Sequence, residues 1–416
     1  MGELLRLATA GSVDDGKSTL VGRLLVDTKN IMIDQYTAVE QASAARGLDQ
    51  ADLALLTDGL RAEREQGITI DVAYRYFATP TRSFILADCP GHVQYTRNTV
   101  TGASTAQVIV TLVDVRHGVV EQTRRHLAVA ALLRVPHVVV AVNKIDLVDF
   151  DHGVITEVCD QVRAVGADLG IDDLTVIPVS ALLGDNVAEP SDRTPWYDGP
   201  SLMAYLETVP VAVDDVDEPG RFPVQYVLRP QSGAGEEFRD YRGYAGRVER
   251  GSFSVGDRVC VLPGGRRSTV VGIDLPGGGA GRSAGASESV TLRLADEIDI
   301  ARGELIAAEP VPEPVRQLDA TVCWLDERPL RTGDRLLVKH TTRTVTGIVT
   351  GIGGRLNLST FEEEPAGELA LNDIGRIGLT LADPISPDPY AESRTTGSFV
   401  LVHPQTGNTL AAGMVS

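Results

Sequence analysis

An octapeptide close to the N-terminus, Gly11-Ser12-Val13-Asp14-Asp15-Gly16-Lys17-Ser18, constrains this chain more than any other feature of its sequence. It has the spacing G-x-x-x-x-G-K-S, follows an apolar run from Leu5 to Ala10 and opens a helical pattern from Thr19 to Val26. That strand, loop and helix context is the one in which the pattern grips phosphate. Glycines let consecutive backbone N–H groups curl around phosphate oxygens, and the helix N-terminus adds a favourable dipole. Residues Gly11 through Thr19 are therefore expected to hold a nucleotide, with Lys17 on its β- and γ-phosphates and the Ser18 hydroxyl on Mg²⁺. Lysine is rare here. Lys17, Lys29, Lys144 and Lys339 are the only four, the remaining basic residues being arginine, so a lysine marks a place where a compact ammonium is needed.

A second sequence, Asn143-Lys144-Ile145-Asp146, follows the apolar run Val138 to Val142 and has the form N-K-x-D. The Asp146 carboxylate can accept from both N1–H and N2–H₂ of guanine, a pairing that adenine does not offer, and a site built on such bonds rejects ligands that lack them. Asn143 and Lys144 join it as base-site residues. Ser180-Ala181-Leu182 follows the last apolar run of this region. By itself it reads equally as a strand-end turn; beside N-K-x-D it reads as the loop whose backbone N–H meets guanine O6.

Between these lies Asp88-Cys89-Pro90-Gly91-His92, directly after a strand ending at Ala87. Here Asp88 is expected to hold Mg²⁺ through water, Gly91 N–H to sense the γ-phosphate, and His92 to orient the attacking water. Upstream, Glu63-Arg64-Glu65-Gln66-Gly67-Ile68-Thr69-Ile70 offers Thr69 as a switch residue completing the metal shell while the γ-phosphate is present. Standing alone, that octapeptide reads as a charged helix end followed by a strand. The metal set expected is thus Ser18, Thr69 and Asp88, and the catalytic set His92, Thr69, Lys17 and Gly91.

From about residue 1 to 211 the chain alternates short β-rich runs with helical ones such as Glu121 to Leu133 and Ile155 to Leu169. Such alternation predicts an α/β domain with a mostly parallel sheet. An acidic Pro/Gly segment, Asp214 to Gly220, reads as a linker. Beyond it, short strands separated by Gly, Asp and Pro turns predict two small antiparallel β-barrels, over 220–309 and 315–416, divided at Glu309 to Pro314. The Gly/Ser-rich stretch from Pro276 to Ser289 reads as a flexible surface loop.

At 416 residues the chain exceeds one ordinary core, and its formal net charge of -19 disfavours charge-driven nucleic-acid binding. No stretch approaches the length of a bilayer span. Met1-Gly2-Glu3-Leu4 carries no secretory leader pattern, and Cys89, Cys159, Cys260 and Cys323 follow no metal-ligand spacing, so reduced thiols in a cytoplasmic protein are expected.

The phosphate, metal and base sequences, in this order and followed by two barrels, resemble the elongation-factor class of GTPases. Further segments narrow the likeness: Asp27-Thr28-Lys29 with Asp34-Gln35, Ala62 through Tyr76, Gln94 through Asn98, Gln122 through His126, and Pro195-Trp196-Tyr197. In the barrel regions so do Phe238 through Gly246, Asp296 through Ile300, Asn372 through Arg376, and Ala411 through Met414. These are similar to the family of large GTP-binding subunits of bacterial sulfate adenylyltransferases, over the whole chain. The resemblance implies a GTP/GDP cycle with Mg²⁺, coupled to formation of adenosine 5′-phosphosulfate and pyrophosphate from ATP and sulfate. Adenylyl transfer itself would occur on a smaller catalytic partner subunit, in a heterodimer or higher heteromer. Consistent with that division, this chain has no S-G-G-x-D-S loop and no H-x-G-H pair. Some relatives carry a fused adenylylsulfate kinase with a second P-loop; none follows here, so that kinase is expected as a separate partner or a further segment. Val13 and Ile68 match the family's apolar gate around His92 and fit ordinary apolar packing equally well. Cys89 and Val93 depart from the threonine and glutamate more usual in relatives, at positions that supply no ligand. A translation elongation-factor-like GTPase binding aminoacyl-tRNA is the alternative, and a regulatory switch without coupled chemistry is a third reading.

Overall fold

The computed structural model describes residues 4–45, 47, 51–56, 72–91, 96–211, 218–230, 241–357 and 360–416. The chain divides into two compact units, Met1–Ala212 with Asn357–Glu362, and Val213–Leu356 with Glu363–Ser416.

Among the described residues the first unit carries six strands: β1 (Leu4–Gly11), β2 (Ala73–Ala78), β3 (Ser83–Asp88), β4 (Val108–Asp114), β5 (His137–Asn143) and β6 (Leu174–Pro178). They form one sheet in the order β2-β3-β1-β4-β5-β6. All pairings are parallel except β2 with β3. Every residue of β4 and β5 is buried, which explains their unbroken apolar sequences, because a parallel strand is covered on both faces. Edge strand β2 instead alternates and leaves Tyr74 and Tyr76 exposed. Helices α1 (Lys17–Asp27), α2 (Ile33–Ala45), α3 (Thr96–Ser104), α4 (Glu121–Leu132), α5 (His152–Asp168) and α6 (Leu202–Thr208) accompany the sheet. Helix α5 starts at Asp151, whose carboxylate accepts the Val154 N–H at 2.9 Å and so satisfies one of the free donors of the first turn. Its Ile155, Val158, Cys159, Val162 and Val165 are buried, the three-and-four spacing of a helix with one apolar face. Parallel strands have a shared consequence: the loops leaving β1, β3, β4, β5 and β6 all emerge at one edge of the sheet, where α/β proteins bind ligands.

The second unit contains two closed rings. Strands Arg221–Leu228, Gly243–Arg247, Ser289–Leu294, Arg266–Asp274, Arg258–Leu262 and Leu305–Ala308 pair antiparallel in that order, the last closing on the first. Phe222, Tyr244, Phe253 and Val261 fill the interior. The second barrel closes through Val315–Trp324, Ile374–Ile385, Arg343–Leu356, Arg335–His340, Ser398–Val402 and Thr409–Val415, around Trp324, Val338, Leu379 and Leu401. Closure removes the exposed sheet edges that such short strands would otherwise present.

The Gly/Ser-rich stretch is not wholly loop: Ala280–Gly281 pairs with Ile273 and Asp274, and Ser283–Gly285 pairs with Ser252 to Ser254. Glycine and serine supply little side-chain burial, but the ladder hydrogen bonds come from the backbone, and Ala284 is buried against the first barrel's core.

Within this unit the barrels are joined by a buried ion cluster. Arg221 Nε donates to both Asp388 carboxylate oxygens at 3.2 Å, and its Nη atoms donate to Ala308 O and Pro310 O at 3.0 and 2.9 Å. Arg250 Nη1 lies 3.1 Å from Asp388, and the Thr396 hydroxyl donates to the same carboxylate at 2.5 Å.

Candidate nucleotide site

Of the residues singled out from the sequence, those within the described segments converge on the C-terminal edge of the parallel sheet. Gly11 ends β1, Ser12 to Gly16 form the turn, and Lys17, Ser18 and Thr19 begin α1. Asp88 ends β3 with Gly91 just beyond it. Asn143 ends β5, Lys144 and Asp146 enter the following 3₁₀ turn, and Ser180, Ala181 and Leu182 follow β6. Thr69 and His92, with Ile68 and Val93, lie outside the described residues.

The turn is shaped for backbone donors. Gly16 has φ 93°, Gly11 φ 146° and Asp14 φ 66°. A Cβ on Gly16 would come within 2.5 Å of Asn143 Nδ2, so the position accepts only glycine on both counts. No side chain caps α1 at Gly16, leaving the first-turn N–H groups for an anion. The buried Lys17 ammonium donates to Gly11 O at 2.8 Å and Ser12 O at 2.9 Å. Burial pulls its pKa down, opposed by Asp88 and Asp15. Asp15 accepts the Ser12 N–H at 2.7 Å, and burial pushes its carboxyl up against that bond and the Lys17 charge.

The base loop is stitched to this turn. Asn143 Nδ2 donates to Asp15 O at 2.8 Å while its Oδ1 accepts the Ala181 N–H at 2.9 Å. One amide thus spaces the phosphate turn from the Ser180 loop. Lys144, in a left-handed conformation at φ 64°, donates to Asp14 O. The Ser180 hydroxyl donates to Asp146 Oδ1 at 2.6 Å, fixing the carboxylate expected to meet the base. Val13 and Leu182 are exposed, at 41% and 42%, as apolar residues flanking a ligand would be.

On the metal side, Thr9 and Asp88 are register partners of β1 and β3, and the Thr9 hydroxyl donates to Asp88 Oδ1 at 2.9 Å. Gly91 packs so closely against the turn that a Cβ there would collide with Lys17 Nζ and stand 2.5 Å from Gly11 O.

Arg23, Gln122, His126 and Asp114 also reach the site, though none was assigned to it from the sequence. Arg23 Nε donates to Ala181 O at 3.2 Å. Gln122 Nε2 donates to Gly91 O at 3.4 Å and lies 3.2 Å from His126 Nε2. His126 is pushed down to about 3 by burial first, then by the Lys17 and Arg125 charges, against the Gly11 backbone. Asp114, which ends β4, contacts Lys144 Nζ at 3.0 Å. Burial raises its carboxyl, but bonds from the Arg116 side chain and backbone, then Lys144, outweigh this and hold it well below the usual carboxylate range. The available signal was positional: like Asp88 and Asn143, Asp114 is a polar residue closing an apolar strand.

The residues fit the ligands they are expected to take. At Gly16 and Gly91 a side chain would strike Asn143 and Lys17, so the turn keeps a bare backbone of the kind that suits a phosphate chain. The Ser12 hydroxyl is buried with no hydrogen-bond partner among the described residues. Ser18 and Asp88 offer the hard oxygens that Mg²⁺ prefers.

Residues 2–216 match the family described as Elongation factor Tu GTP binding domain, and residues 317–416 that described as GTP-eEF1A C-terminal domain-like. The chain is 53% identical to the bifunctional enzyme CysN/CysC of Mycobacterium tuberculosis (strain ATCC 25618 / H37Rv), covering 100% of this chain and 67% of that protein. It is 48% identical to sulfate adenylyltransferase subunit 1 of Laribacter hongkongensis (strain HLHK9), over 99% of this chain and 85% of the relative. The protein of the same name from Bacteroides fragilis (strain YCH46) is also 48% identical, over 99% and 86%. With an elongation factor Tu-type domain, the chain binds guanine nucleotide, and it belongs to the sulfate adenylyltransferase subunit 1 family of GTPases.

Proposed function

We propose that this protein hydrolyses GTP and couples that reaction to formation of adenosine 5′-phosphosulfate and pyrophosphate from ATP and sulfate on a smaller catalytic partner subunit, in the cytoplasm. Near-complete coverage by relatives named sulfate adenylyltransferase subunit 1, both barrels included, is the observation that supports this most directly. We assign the G domain to residues 1–211 and the barrels to 220–309 and 315–416.

In this reading Asp146 accepts the guanine N–H groups, the Ala181 N–H shifts from Asn143 Oδ1 to share itself with the guanine carbonyl, and the N–H groups of Gly11 to Thr19 hold the phosphates. Lys17 moves from the Gly11 and Ser12 carbonyls onto β- and γ-phosphate oxygens, and His92 orients water for in-line attack. Ser18, Thr69 and Asp88 would hold Mg²⁺, which when bound neutralises charge on the phosphates. Loss of the γ-phosphate releases the segment containing Thr69. That release can drive the partner only if the two forms bind it with different affinities. We expect affinity for the partner subunit to differ between GDP and a non-hydrolysable GTP analogue in at least one stage of the ATP and sulfate reaction, measured by titration calorimetry. Identical affinities at every stage would exclude this coupling.

A further inference from the structure

Lys144 does more than complete a sequence pattern. Its side chain leaves the base loop, runs beside Gly16 and ends on Asp14 O. A nucleotide with its phosphates at Gly11 to Ser18 and its base at Asp146 must lie along that stem. A lysine stem has four rotatable bonds and loses much entropy when fixed, and one carbonyl is a modest anchor for it.

The second anchor is Asp114. Its carboxylate is 2% exposed and stands opposite Asn143 in the β4–β5 ladder, one residue before Lys144. It accepts from Arg116 N and Nε at 3.0 Å on Oδ1, and from Arg116 Nη2 at 2.6 Å on Oδ2. Lys144 Nζ approaches the same Oδ2 at 3.0 Å. Arg116 thus holds both carboxylate oxygens, and Oδ2 also holds the lysine.

We propose that Asp114 is a positioning residue of the guanine-nucleotide pocket: itself held by Arg116, it pins the Lys144 ammonium over the phosphate turn, so that the lysine stem stands as a preformed wall beside the nucleotide. The inference rests on the guanine-nucleotide reading of this site. Asp114 touches no substrate in this scheme and acts through Lys144.

The chain's four lysines make the test direct. In this 416-residue chain labelled with ¹³C,¹⁵N-lysine, four lysine ammonium signals arise, and Lys144→Arg assigns the one in question. Lys29 and Lys339 are exposed, so their ammonium signals are expected to exchange rapidly. The Lys144 ammonium is expected to exchange slowly in the wild type and to lose that protection in Asp114→Asn. The same substitution should raise the GDP dissociation constant roughly ten- to hundredfold, through faster release. In a Lys144→Met background it should add little, because the group it positions is gone. Unchanged Lys144 exchange and GDP release in folded Asp114→Asn, or an undiminished effect in the Lys144→Met background, would overturn the proposal. Should Asp114→Asn fail to fold, the wild type decides: a Lys144 ammonium exchanging as fast as Lys29 overturns it, and a protected one that Asp114→Glu perturbs supports it. If the wild type binds no GDP at all, the pocket reading fails first and takes this inference with it.

Discussion

In the proposed guanine site, single atoms decide which base is taken. The Asp146 carboxylate is held by the Ser180 hydroxyl at 2.6 Å, leaving its second oxygen, and the free lone pairs of the first, to accept from guanine. Replacing Asp146 with Asn turns one acceptor into a donor facing guanine's own donors. The expected result is a loss of GDP affinity of about a hundredfold or more, with thermal stability little changed; calorimetric titration of the variant checks it. A variant that binds GDP normally would move base recognition elsewhere. Residues of this kind were legible in the sequence because their spacing is local: N-K-x-D and the phosphate turn are contiguous. Asp114 and His126 were not legible as site residues, since each reaches it only through strand register or helix packing. No sequence spacing puts Asp114 beside Lys144, 30 positions away; the β4–β5 ladder does.

At the level of elements, the site depends on helices that end or begin at the sheet's edge. Helix α1 starts uncapped at Gly16 and leaves its donors to an anion. Helix α4 brings His126 under the phosphate turn, where burial holds the ring neutral, its pKa pushed down from 6.5 to about 3. The sign follows from linkage. Between those two values the unfolded chain takes up a proton that the folded chain refuses, so stability is full above pH 6.5 and declines as pH falls. This residue alone should contribute a slope of about 1.4 kcal/mol per pH unit below 6.5. Urea unfolding of wild type and His126→Gln from pH 7.5 to 4.5 measures it: the variant should lose that part of the acid sensitivity. Equal slopes would mean that the ring is protonated in the fold. The sequence made the helix and its apolar face legible. Barrel strands were legible too, through short runs and turn residues, but not the pairing of residues 280–285, whose partners lie up to 33 positions back along the chain.

On the scale of the whole chain, the barrels share one compact unit, and the Arg221–Asp388–Arg250 cluster lies at their junction. Arg221 and Asp388 are 3% and 4% exposed. Neutralising the acid strands buried guanidinium charge, so Asp388→Asn should destabilise this unit by roughly 3–5 kcal/mol, read from chemical denaturation. A change below about 1 kcal/mol would mean that the arginines find other partners or water. Sequence patterning gave each barrel separately; the junction between them depends on residues 167 positions apart.

The central claim is that GTP cleavage is coupled to sulfate activation, and phosphate release from GTP tests it most directly. The protein is mixed with the smaller adenylyltransferase subunit, and ATP and sulfate are supplied together, singly or not at all. Strong stimulation of GTP hydrolysis only when partner, ATP and sulfate are all present is the predicted result. A rate that ignores all three would contradict the account.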